Sequence, residues 1–113
     1  MKYFFVLLLS GLSYFCVAQN IKTVYSEADA AYRNGNFSEA IYLFTEIVDR
    51  NENLPHVYYS LANAYRLNLQ YKEAIQTYNK VIALAPEKFL DCYFWLAELQ
   101  KMQGEIFLDS MVL

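Results

Sequence analysis

Glu39-Ala40-Ile41 returns as Glu73-Ala74-Ile75, an offset of 34 residues, and at the same offset Phe37 returns as Tyr71, Phe44 as Tyr78 and Ile47 as Val81. A fixed period of this length restricts the chain to a stack of like supersecondary units. Each unit is too small to bury its own apolar face and must share it with a neighbour.

The content of each unit follows from hydrophobic spacing. Tyr58, Leu61, Ala62 and Tyr65 fall at i, i+3, i+4 and i+7, which places them on one helical face. Ala74, Ile75, Tyr78, Val81 and Ile82 give a second such face, and the interval Asn68-Leu69-Gln70 between them has room only for a tight turn. Two antiparallel helices result. The preceding unit has the same plan, with Val24, Ala28 and Ala31 on its first helix and Ala40, Phe44 and Ile47 on its second. Gly35-Asn36 forms its turn, glycine being the residue that takes a left-handed backbone at little cost. The expected fold is all-α: an α-solenoid of antiparallel helix pairs, with two full units and a truncated third.

On these residues the chain resembles the tetratricopeptide repeat family. With Pro55 as the first position of a unit, Leu61-Ala62 match the family's Leu–small pair and Tyr65 its mid-helix aromatic. Tyr71, Ala74, Tyr78, Val81 and Pro86 complete the pattern. The unit at 21–54 matches at Ala28, Gly35, Phe37, Ala40, Phe44 and Ile47, but has Glu27 at the Leu position and Glu52 at the Pro position, as a weaker terminal copy would. A third unit, 89–113, starts with Leu96-Ala97, displaced by one residue because Leu96 lies 35 after Leu61. A turn at Gly104-Glu105 and a second helix from Ile106 are expected there. The last residues, Met111-Val112-Leu113, are apolar, and no covering helix follows in the sequence. The expectation is that further repeats or domains cover this end, or that the chain self-associates through it. Alanines 28, 40, 62, 74 and 97 stand where helix backbones approach closely, with Phe44 and Tyr78 filling the gaps between them.

The resemblance implies a function on the concave side, where the first helix of each unit contributes positions 2, 5, 6, 9, 12 and 13. These are Lys22, Tyr25, Ser26, Asp29, Tyr32 and Arg33 in the first unit, and His56, Tyr59, Ser60, Asn63, Arg66 and Leu67 in the second. With the one-residue shift, Asp91, Phe94, Trp95, Glu98, Lys101 and Met102 follow in the third. Tyr25, Asp29, Tyr32, Arg33, Tyr59, Asn63, Arg66, Glu98 and Lys101 are the expected partner-binding groove. Rigid aromatics beside a few polar groups suit an extended peptide or a partner helix. The Lys and Asn clamp that some members use for a terminal carboxylate is not reproduced by Tyr25 with Asp29 or by Tyr59 with Asn63.

Residues 1–18 are of a different kind. Lys2, the apolar run Tyr3 to Leu9 and the ending Cys16-Val17-Ala18 form a signal peptide with cleavage expected after Ala18. The uninterrupted run is far short of the ~20 apolar residues a spanning helix needs, so no membrane span is expected after cleavage. Export follows, across a bacterial inner membrane or by a eukaryotic secretory route. The destination is the periplasm, the outer membrane or the exterior. Exported relatives in the family include the start of larger cell-envelope proteins, so an amino-terminal structural segment is the alternative to a free-standing binding module.

Charge and chemistry narrow the function further. The formal net charge of −3 becomes −4 once Lys2 is removed, and a basic patch for nucleic acid is lacking. The domain at 19–113 keeps Cys92 as its only cysteine and His56 as its only histidine, so no metal site, internal disulfide or His-dependent triad is expected. Cys92 is read as a small buried apolar residue and His56 as a solvated one. No catalytic residue and no cofactor is expected. Asn36-Phe37-Ser38 spells an N-glycosylation acceptor, relevant to a eukaryotic source.

Overall fold

The computed structural model describes residues 20–112, so the expected signal segment lies outside the described residues. Five helices follow one another: α1 (Ile21–Arg33), α2 (Phe37–Arg50), α3 (Pro55–Leu67), α4 (Tyr71–Leu84) and α5 (Asp91–Val112). The described residues contain no strand. Each helix packs principally on its neighbours in sequence, α1 on α2, α2 on α3, α3 on α4 and α4 on α5. The α-solenoid expected from the 34-residue period is therefore present.

Local chemistry sets the helix boundaries. Asn20 caps α1, its side-chain oxygen accepting from the Lys22 backbone N–H at 3.1 Å. Pro55 starts α3 at the position where a missing N–H costs nothing. The turns after α1 and α3 are built alike. Asn36 N–H reaches back to Ala31 C=O and Gly35 N–H to Tyr32 C=O, and the same pair of bonds joins Gln70 to Tyr65 and Leu69 to Arg66. This is the Schellman arrangement, which requires a left-handed residue just past the helix end. Gly35 supplies it with φ +79°, whereas in the second turn a leucine, Leu69, is held at φ 63°.

The first helix of each unit has two packing faces. Val57, Leu61 and Ala64 of α3 join a core with Val24, Ala28, Ala31, Ala40, Phe44 and Ile47, so they pack back on the preceding unit. Ala62 looks the other way, into a core with Ala74, Tyr78 and Val81 of α4 and Cys92, Leu96 and Leu99 of α5. Ala28, Ala40, Ala62 and Ala74 are completely buried, as close helix approach requires.

These two faces explain the atypical end units. On α1 the backward positions are Thr23, Glu27 and Ala30, all exposed, because no described helix precedes them. A charged residue at position 27 therefore faces water rather than interrupting a core. On α5 the backward positions Cys92, Leu96 and Leu99 are buried against α4, so the one-residue shift in register is real.

The forward half of the third unit departs from expectation. Ala97 is exposed instead of packed between backbones, and no turn forms at Gly104-Glu105. Instead α5 continues as one helix of 22 residues through Val112. Gly104 costs a helix only about 1 kcal/mol relative to Ala, a small penalty beside the cost of ending one helix and nucleating another. Ala97 is exposed for the same reason, since the helix that would cover it is not formed among the described residues.

Candidate functional site

Along one side of the stack the first helices α1, α3 and α5 meet one another through side chains. Tyr25 of α1 reaches α3, its hydroxyl 3.3 Å from Ser60 Oγ and its ring 5.8 Å from that of His56. Ser60 in turn donates to the His56 carbonyl at 3.2 Å. The Tyr25 ring also meets Phe44 edge-on, with centroids 5.6 Å apart. Asp29, Tyr32, Phe44, Ser60 and Asn63 enclose a small recess of about 70 Å³ between α1 and α3. Tyr32 is steadied at its rim by Phe37, 5.7 Å away and nearly perpendicular.

A denser network joins α3 to α5. Tyr59 stacks on Phe89 with centroids 4.8 Å apart and donates its hydroxyl to the Asp91 carboxylate. Burial, followed by the Asp91 hydrogen bond, raises the Tyr59 pKa. Deeper in, the Tyr78 hydroxyl donates to Asn63 Oδ1 and accepts from Arg66 Nε at 3.0 Å. The Tyr78 ring is fully buried, and burial pushes its pKa up to about 12, against a smaller lowering by Arg66. The Arg66 guanidinium carbon lies over the Trp95 ring, 3.6 Å from its centroid, which is cation–π geometry. Arg66, Tyr71, Trp95, Glu98, Leu99 and Met102 enclose a second recess of about 200 Å³ between α3 and α5.

The structure thus brings seven of the nine expected groove residues to these contacts. Tyr25, Asp29, Tyr32 and Asn63 surround or adjoin the first recess, Arg66 and Glu98 line the second, and Tyr59 joins the helices between them. Arg33 stays at the margin, 77% exposed and paired with Asp29 at 2.9 Å, an ion pair whose exposure makes it worth little. Lys101 is exposed and lines neither recess, for its counterpart Arg66 finds a wall in the next unit's first helix and Lys101 has no described helix beyond it.

Phe44, Tyr71 and Tyr78 belong to the site although the repeat pattern assigns them only to packing, and so does Leu99, which the pattern does not single out. Only the paired polar residues Asn63 and Arg66, one turn apart on the adjoining helix, hint that the Tyr78 hydroxyl would be engaged. His56 is exposed, as expected of a solvated residue. Cys92 is fully buried, and burial with the neighbouring Asp91 carboxylate pushes its thiol up to about 11, away from thiolate reactivity at neutral pH. Among the described residues no three His, Cys, Asp or Glu side chains gather as a metal site, and no helix is long and apolar enough to cross a membrane.

Stacked helical hairpins with recesses between successive first helices define a repeat scaffold of the protein-interaction class. The chain belongs to the tetratricopeptide repeat family, whose family model matches residues 25–88. It is similar to a tetratricopeptide repeat domain protein from Salinibacter ruber solved by NMR, with 29% identity and a TM-score of 0.55 over 77% of this chain and 86% of that one. No curated protein is similar enough to count as a match.

Proposed function

We propose that this chain is an exported, non-catalytic interaction module that holds an extended peptide or a partner helix along the side formed by α1, α3 and α5. The observation that carries the reading is the pair of recesses between consecutive first helices, each combining aromatic walls with fixed polar groups. Such sites bind through rigid aromatic anchors and a few oriented hydrogen bonds, because little side-chain entropy is lost when a ligand arrives. By contrast, the broad depression along α2 is lined by Ser38, Ile41, Tyr42, Thr45, Glu46 and Asp49 from that one helix, a furrow without a second wall. Export rests on the Lys2, apolar-run and Ala18 series.

The test compares retention of one partner, first identified from an envelope extract, on the native chain and on variants. Tyr32→Ala and Trp95→Ala should each lower affinity by about tenfold or more with helical content unchanged. Lys72→Ala, at an exposed position that lines neither recess, should bind as the native chain does. Equal loss from Lys72→Ala, or full retention by both groove variants, would refute groove binding.

A further inference from the structure

Helix α5 carries a second apolar stripe, and we infer that it is the contact by which two copies of this chain pair antiparallel, α5 against α5. Its buried face is Cys92, Leu96 and Leu99. On the opposite side Phe94, Ala97, Lys101, Gly104, Leu108 and Met111 recur at alternating intervals of three and four, the seam of a two-helix coiled coil. Phe94, Leu108 and Met111 are 57%, 61% and 68% exposed, and Ala97, Lys101 and Gly104 are also exposed. A helix apolar on two sides is built to be covered on both.

The stripe is complementary to itself in one register. With a twofold axis between residues 102 and 103, Phe94 meets Met111 of the other copy, Ala97 meets Leu108, and Lys101 meets Gly104. Each of the two small residues faces a long one. A side chain can enter at Gly104, where a Cβ would meet nothing within 4 Å. Aromatic against thioether is a favourable contact in its own right. The charges agree as well, since Lys101 then lies beside Glu105 of the other copy, twice in each dimer. Both residues are exposed, and among the described residues neither forms an ion pair within its own chain. In the register shifted to place residue 101 on its own twofold axis, the two lysines would face each other. The complementary charges select a second copy over an unspecified apolar partner.

Sedimentation analysis of the chain, in the form its host delivers it, tests this across a range of concentrations. The native chain should form a dimer, and Leu108→Glu should abolish it. Lys101→Glu and Glu105→Lys, which turn both pairs repulsive, should each weaken it by about tenfold. An equimolar mixture of Lys101→Glu and Glu105→Lys should recover dimer, because the opposite charges then meet again. These substitutions are on exposed positions, and unchanged helical content is the check on folding. A native monomer at all concentrations, a dimer indifferent to Leu108→Glu, or no recovery on mixing would each overturn the proposal.

Discussion

At Tyr78 a phenol assigned by the repeat pattern to packing also closes a hydrogen-bonded chain from Arg66 to Asn63. Tyr78→Phe keeps the ring but leaves two partly buried polar groups without their partner, so a loss of about 1–3 kcal/mol is expected in urea denaturation. Its pKa also sets a pH dependence. Burial raises it from 10.0 in the unfolded chain to about 12, so its contribution is complete below pH 10 and is lost as the pH rises through 12. Cys92 behaves the same way one unit lower, from 9.0 to about 11. The denaturation midpoint should therefore hold steady at neutral pH and fall through the alkaline range. Tyr78→Phe should remove the upper part of that fall and Cys92→Ala the lower. Leu69 presents the reverse case, a residue held in the left-handed region while its side chain is 71% exposed and contributes little packing. Leu69→Gly should raise stability by about 0.5–1 kcal/mol, measured by thermal or urea unfolding.

For the helices as elements, what decides their length is whether a neighbour rewards a turn. The turns after α1 and α3 are followed by second helices whose Ala40 and Phe44, or Ala74 and Tyr78, complete a core. After α5's first three turns no equivalent core is found among the described residues, and the helix continues through Gly104. Gly104→Ala should then stabilise the chain and raise its helical circular dichroism, by about 1 kcal/mol, when measured at concentrations below those of any association. A turn at Gly104 would predict the opposite sign. Ala62 tests the approach of α3 and α4 in the same spirit. Ala62→Leu should cost about 1–3 kcal/mol by overpacking a fully buried contact, whereas Ala97→Leu, at the matching position of α5 that its own chain leaves exposed, should cost almost nothing at concentrations below those of any association.

Across the whole molecule the stack is asymmetric. Its first helix offers a polar backward face of Thr23, Glu27 and Ala30, while its last offers an apolar outward stripe. A solenoid stacks by covering apolar faces, so among the described residues it is α5 that offers a face for the pairing proposed above. If the chain is exported as proposed, mass spectrometry of the protein from its native host should find Gln19, free or cyclised, as the first residue. An intact Met1 in the membrane fraction would contradict cleavage and export. Partner affinity should respond to the α1, α3 and α5 side and self-association to the outer stripe of α5, and Trp95→Ala with Leu108→Glu should separate the two effects.

The 34-residue recurrence of Ala40, Phe44 and Ile47 as Ala74, Tyr78 and Val81 was enough to determine the helix pairs and the solenoid, because apolar periodicity and turn spacing are local properties of the chain. It also located the face on which Tyr25, Asn63 and Arg66 meet their neighbours, since a helix carries equivalent positions to equivalent sides. Tertiary structure alone decided that Arg66 lies on Trp95, that the Tyr78 hydroxyl is shared between Asn63 and Arg66, and that Lys101 faces solvent. Those outcomes depend on distances between side chains far apart in sequence. Whether Gly104 would turn or continue a helix was likewise undecided locally, because glycine tolerates both. In the folded chain α5 runs through Gly104 unbroken to Val112, which leaves Ala97 exposed.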